Sequence, residues 1–317
     1  MHWASISCII PAYYHFISLW ITMTLLGEIL ALGAAFFWAI GVILFKKSGE
    51  NMAPLSLNLF KNLIAMILFI PTIPLLGESF NPGQPLTAWI MLGLSGLLGI
   101  TLADTLFFIS LNKLGASLVA VVDTSYTPLL LSMGYIFLGD RIGPIAFIGA
   151  CLIVAGLIIG SISKPEPGRT RKDVLVGSVI GVTGMFTMVV GIIIIKNVLN
   201  DAPLLWASGV RLFFGTLGLL PVIFLQPARR KRFITNLRQA ATWKIAVPAA
   251  VSGSFLAMIC WVGGLKFTHV SIAGMLNQLS TIFIFILAIV FLKERTSWKR
   301  LLAIILAFMG AILVILR

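Results

Sequence analysis

A chain of 317 residues with 59% hydrophobic side chains, 10% charged ones and a mean hydropathy of +1.07 lies far from the soluble average of about 25% charged. The formal net charge of +13 would suggest nucleic acid in a soluble protein, but here Lys and Arg cluster in short connections between apolar runs, where they orient a membrane protein. No stretch is left that could build a separate soluble domain.

In chain order, residues 1–26 form an apolar leader. Its "MHWASISCIIPAYYHFISLWITM" has neither the basic n-region nor the small-residue cleavage site of a signal peptide. Met23 opens an ordinary membrane-protein start and is the expected initiation site. Polar punctuation then cuts the chain into ten spans near 28–45, 55–76, 88–110, 116–137, 142–161, 174–195, 203–225, 243–264, 270–292 and 298–316. Each approaches the roughly 20 residues that cross about 30 Å of hydrocarbon. Lipid offers no partner to an open backbone, so the expectation is an all-α integral membrane bundle.

A shift of 154 residues lays "LADTLFFISLNKLGASLVAVVDTSYTPLLLSMGYIFLGDRI" on "LAMICWVGGLKFTHVSIAGMLNQLSTIFIFILAIVFLKERT" without a gap, with identities such as Leu102, Leu111, Arg141 and Gly156. The first helices pair Gly41 with Gly191 and Lys46 with Lys196, and the second pair Asn62 with Arg211. The chain thus reads as one five-helix repeat over 27–163, a basic linker at 164–172 and a second repeat over 173–317. Five is odd, so the second copy enters the membrane from the opposite side. The expected architecture is ten transmembrane helices as two inverted five-helix repeats, which exchange conformations about a site at their interface.

A first helix carrying "FFWAIGVILFKK", the breaks "FLGDRI" and "FLKERT" between fourth and fifth helices, and a Gly-ended fifth helix "GACLIVAGLIIG" resemble the EamA-type drug/metabolite transporter superfamily. The resemblance covers residues 27–317. It implies ten helices, a central cavity between the halves and export of amino acids or other small metabolites from a bacterial cytoplasmic membrane. Many such repeats carry an Arg early in the second helix; Arg211 matches it, whereas the first copy has Asn62 beside Lys61. The resemblance also implies cytoplasmic termini. The charge count implies the reverse, with four basic residues on the side of the core termini and 17 on the other.

The chain has no GxxxxGK[ST] loop, no GxGxxG after a strand and no HExxH, so nothing indicates nucleotide hydrolysis, dinucleotide binding or zinc chemistry. No cofactor, metal or nucleic-acid partner is expected. An integral-membrane lipid enzyme would need clustered acid and base groups near one interface, and only three histidines exist, two of them in the leader. A flippase for a lipid-linked metabolite is the nearer alternative to a transporter of small solutes. Cys8, Cys151 and Cys260 lie far apart and read as small core residues. The expected partners are the bilayer, a small-molecule substrate and a proton as candidate coupling ion, in a monomer or homodimer.

The intramembrane charges are Glu28, Lys61, Asp104, Asp123 and Arg211, with His269 at a span edge. Asp104 follows Gly93, Gly96 and Gly99, which permit close helix approach, and reads either as a buried partner of Lys61 or Arg211 or as a substrate group. Glu28 reads as interfacial, and Lys61 and Arg211 as structural, snorkelling cations. Trp206 fits an interfacial anchor, while Trp38 and Trp261 suit cavity walls. Asp123 is the most demanding group, because a carboxylate within a span costs on the order of 2.5–3.5 kcal/mol on insertion scales. The repeat superposes Asp123 on Asn277 and Thr124 on Gln278, so both copies hold polar pairs at one depth. The expected substrate site is Asp123, Asn277 and Gln278 as hydrogen-bonding groups, Trp38, Tyr126 and Trp261 as aromatic walls, and Asp104 as a second acceptor. A carboxylate beside aromatics suits a protonated amine by charge and by cation–π attraction, so amino acids or amines are the expected cargo.

Overall fold

The computed structural model describes the backbone of residues 6–138, 143–161, 170–238, 240–268, 270–294 and 297–315, and most side chains from Leu25 onward. The side chain of Cys8, His269, residues 139–142 and residues 162–169, which include most of the basic linker, lie outside the described residues. The described elements are all helical. In order they are α1 (Ile6–Ser48), α2 (Pro54–Leu75), α3 (Leu86–Gly96), π1 (Leu97–Ala103), α4 (Asp104–Leu114), α5 (Ala116–Asp123), α6 (Tyr126–Leu138), α7 (Pro144–Ser161), α8 (Arg171–Asp201), α9 (Leu204–Phe224), α10 (Pro227–Arg238), α11 (Ala240–Ala250), π2 (Val251–Leu256), α12 (Ala257–Phe267), α13 (Val270–Leu292) and α14 (Trp298–Ile315). Seven helical stretches among the described residues are long and apolar enough to cross a bilayer, and Pro144–Gly160 and Leu276–Leu292 are apolar but shorter.

Local chemistry sets the ends. Pro54 occupies the first turn of α2, where its missing N–H costs nothing. The Thr170 hydroxyl accepts from the Asp173 N–H, and the Asp173 carboxylate accepts from the Thr170 N–H, a capping box that starts α8. Gly115, at φ 86°, supplies the left-handed turn that reverses α4 into α5. The Glu294 carboxylate then caps α5 from far along the chain, accepting from the Ala116 N–H at 2.7 Å, the Ser117 N–H at 3.0 Å and the Ser117 hydroxyl at 2.6 Å. The same end of the bundle gathers the Lys46 ammonium on the Asn112 carbonyl, the Lys113–Asp173 ion pair and the Asn236 amide on the Asn51 carbonyl.

Three spans expected to be regular are not. The third helix of each half swells into a π turn, and Leu97 and Val251, which open the two turns, are residues the 154-residue shift superposes. A π turn inserts an extra residue and is often found at functional sites. The span expected over 116–137 is broken into α5 and α6 at Thr124 and Ser125. Pro128 causes the break: it has no N–H for the Thr124 carbonyl and its ring crowds that group. The carbonyl accepts instead from the Thr127 N–H at 3.2 Å. The repeat-related α13 has no proline and runs unbroken.

Close contacts come in pairs related by exchange of the halves. A Cβ added at Gly41 on α1 would meet the Gly253 Cα in π2 at 2.5 Å, while one at Gly191 on α8 would meet the Ser95 carbonyl at 3.2 Å and the Gly99 N at 3.6 Å beside and in π1. The first helix of each half thus lies on the third helix of the other. In the α7–α14 seam, a Cβ at Gly156 would lie 2.7 Å from the Ala303 carbonyl and 3.1 Å from the Ala307 N. One at Gly310 would lie 2.5 Å from the Gly149 carbonyl and 2.9 Å from the Ile153 N. Small residues let membrane helices approach this closely. Backbone cannot yield as a side-chain tip can, so Gly310→Val is expected to cost about 1–3 kcal/mol by overpacking. A lowered melting temperature of the purified protein checks it, and an unchanged one would refute the seam.

Three readings are corrected. Trp206 is no anchor at the lipid surface: it is 2% exposed, donates its indole N–H to the Phe80 carbonyl at 2.9 Å and packs against Trp89. Cys151 is exposed rather than in the core, an apolar thiol on a helix face open to lipid. Lys61 does not snorkel; it is buried at 7% exposure.

Candidate substrate site

The helix break positions Asp123. Eight residues of α5 rise roughly 12 Å from the Glu294 cap, so the carboxylate lies well inside an apolar layer of about 30 Å. Asp123 ends α5 and Tyr126 begins α6, so two side chains three residues apart, which a helix already places on one face, flank the break. The Trp38 indole, on α1, hydrogen-bonds the Asp123 carboxylate. Trp38 packs against Phe107 with ring centroids 5.6 Å apart. Tyr126 lies near enough to Asp123 and to Arg211 to feel both charges. Asp123, Trp38 and Tyr126 are each half-buried.

The other half reaches the same place through Gln278, whose side-chain amide donates to the Thr127 hydroxyl at 2.8 Å. Thr127 follows Tyr126 directly, so α13 closes against the break. Asn277 is half-buried and makes no side-chain hydrogen bond among the described residues. Ser125, in the break itself, has a buried hydroxyl without a partner, while the Thr124 hydroxyl donates to the Val121 carbonyl at 2.6 Å.

Asp104 belongs to a neighbouring polar cluster. It opens α4, where π1 ends, and its Oδ2 accepts from the Lys61 ammonium at 2.7 Å. Lys61 also donates to the Asn62 Oδ1 at 2.8 Å and lies 5.8 Å from the centroid of the Phe108 ring. Asn62 donates to Asn58, and Asn58 donates to the Ile100 carbonyl at 2.8 Å and the Thr105 hydroxyl at 3.0 Å. These bonds tie the carbonyls freed by the π turn to α2. Trp261 stands apart. Its neighbours on α12 lie against α1, with Cys260 facing Gly33 and Gly264 facing Ala31, more than one turn before Trp38.

Gly93, Gly96 and Gly99 serve the close approach expected of them, facing the Phe214 ring, the Arg211 carbonyl and the Arg211 guanidinium respectively. The helix break and the paired π turns escaped the reading of the sequence. Pro128, so soon after Asp123, was the available signal for the break; no residue pattern marks a π turn.

The arrangement is a set of polar groups from four helices inside an apolar bundle, with helix crossings related by exchange of two halves. The profile of the EamA-like transporter family matches residues 25–162 and again 175–316. The chain belongs to the EamA-like transporter family. It is an integral membrane transporter, and its relatives include proteins named as a transporter and as an exporter. An uncharacterized transporter of Archaeoglobus fulgidus is 24% identical over 297 residues, 92% of this chain and 99% of the relative. Protein PecM of Dickeya dadantii is 26% identical over 258 residues, 80% and 82% of the two chains. The threonine/homoserine exporter RhtA of Escherichia coli is 31% identical over 151 residues, 47% of this chain and 49% of the exporter, so that match spans about half of each. A solved crystal structure superposes with a TM-score of 0.66 at 17% identity over 90% of this chain and 95% of that one, which shows the fold of this EamA chain.

Proposed function

We propose that this chain is a secondary transporter, in a bacterial cytoplasmic membrane, of small solutes that carry an ammonium group, amino acids or amines. The observation that carries the reading is the Asp123 carboxylate, held within an apolar span at a helix break and flanked by Trp38 and Tyr126. A carboxylate accepts at about four lone-pair positions, and one indole leaves the rest to a ligand. The C-terminal end of α5 adds the negative end of a helix dipole, and aromatic rings add cation–π attraction of roughly 0.5–2 kcal/mol. Discontinuous helices of this kind hold substrates and ions near the midplane of transporters.

The exchange-related contacts support ten crossings as two inverted repeats. In that arrangement the Gly-lined crossings of α1 on π2 and α8 on π1 are the surfaces over which the halves rock. Asp123, Gln278 and Asn277 then lie where access alternates, with Tyr126 and Trp38 as walls and Trp261 displaced along α1 from them; Asp104 supports the site through its ion pair. The threonine/homoserine specificity named for RhtA fits such cargo.

Proteoliposomes loaded with L-threonine and assayed for exchange of radiolabelled L-threonine test the reading. Unlabelled amino acids and amines are expected to compete, and sugars and dicarboxylates are not. Exchange that no ammonium-bearing solute inhibits would sink it.

A further inference from the structure

We propose that Arg211 is a carboxylate-binding subsite that works together with Asp123, so that the cargo is a zwitterionic amino acid rather than a simple amine; the inference rests on the ammonium assignment made for Asp123. Arg211 lies two turns into α9, in the half opposite to Asp123. Its Nε is buried with no hydrogen-bond partner, and no carboxylate forms an ion pair with it among the described residues. The nearest acid in charge terms is Asp104, but Lys61 already holds that carboxylate at 2.7 Å.

The guanidinium has room made for it. One of its terminal nitrogens lies against Gly99 in π1, where a Cβ would come within 3.2 Å of it and within 3.3 Å of the Met188 sulfur. Any side chain at 99 would crowd the group, and the π turn sets this face of the third helix toward α9. Tyr126 lies within electrostatic reach of both Arg211 and Asp123. A cation and an anion inside an apolar bundle, near one aromatic residue and not ion-paired with each other among the described residues, match a ligand bearing the opposite two charges. An unpaired buried charge is costly, and a guanidinium presents a planar fork that takes a carboxylate through two parallel hydrogen bonds.

The test uses full-length wild type, Arg211→Gln and Arg211→Lys with three probes: L-threonine, L-threoninol (the same amine without the carboxylate) and propionate (a carboxylate alone). Wild type is expected to exchange threonine with kcat/KM about tenfold or more above threoninol, as loss of a charge-assisted hydrogen bond implies. Arg211→Gln should bring threonine down to the threoninol level and leave threoninol unchanged, while Arg211→Lys should lie between. Propionate should raise the melting temperature of wild type and not that of Arg211→Gln. Ligand-free Arg211→Gln should melt at or above wild type, since it removes an unpaired buried charge. A lower melting temperature for that variant would assign Arg211 to structure and overturn the proposal. Equal use of threonine and threoninol by wild type, or no effect of propionate on its melting, would overturn it too. Failure of the ammonium assignment looks different: neither amine is exchanged, yet propionate still stabilises wild type through Arg211, and the carboxylate subsite stands alone.

Discussion

Asp123→Asn is expected to lower kcat/KM for ammonium-bearing cargo by roughly 10- to 150-fold while the protein inserts and folds normally. Hydrogen bonds to charged groups contribute about 1.5–3 kcal/mol, each 1.4 kcal/mol is tenfold, and the cation–π share from Trp38 and Tyr126 stays behind. Asparagine keeps the size of the side chain and an acceptor for the Trp38 indole, so packing at the break should survive. The competing view is that Asp123 only fixes packing by bonding Ser125, Thr127 or a neighbouring helix. The structure gives it little support: the Ser125 hydroxyl has no partner, and the side-chain hydrogen bond at Thr127 is the one it accepts from Gln278. Among the described residues, the indole of Trp38 is the side chain that holds Asp123 from another helix. The same variant tests proton coupling, because a pH dependence of exchange carried by Asp123 would disappear with it. Exchange at the wild-type rate, affinity and pH dependence would remove Asp123 from both the substrate site and the proton path.

What the sequence could and could not convey follows from the range of each interaction. Hydropathy read the helical bundle, because spans of about 20 apolar residues in lipid must pair their polar backbone groups internally, which a helix does within one segment. The 154-residue shift paired Gly156 with Gly310 and Asp123 with Asn277 because inherited symmetry is written position by position. The partners of those residues were not written there. That Gly156 meets Ala303 and Gly310 meets Gly149 depends on how helices cross, which a repeat alone does not specify. The two buried cations show the same limit: both read as structural from one-dimensional context, yet Lys61 has found Asp104, while Arg211 forms no ion pair among the described residues and its Nε has no hydrogen-bond partner. Which of two nearby bases takes the acid was decided by the π turn, which brings Asp104 and the carbonyls beside it to α2.

The division of labour between those cations yields an expected stability pattern in Asp104→Asn, Lys61→Met and the double variant. Breaking a buried pair by removing one partner costs about 3–5 kcal/mol, because an uncompensated charge remains. Asp104→Asn should lie at that upper end. It strands Lys61 at 7% exposure beside a second buried cation, Arg211, with only the Asn62 carbonyl as acceptor. Lys61→Met should cost less, about 1–3 kcal/mol, since the freed Asp104 carboxylate still has the Arg211 charge nearby and its side chain keeps 18% exposure. The double variant removes both charges and offers methionine to the Phe108 ring, so it should lose less than the sum of the singles, as contacting residues do in such cycles. Unfolding of the purified protein in mixed micelles measures all three. Strictly additive losses, or a Lys61→Met variant weaker than Asp104→Asn, would show that the ion pair is not what holds π1 against α2.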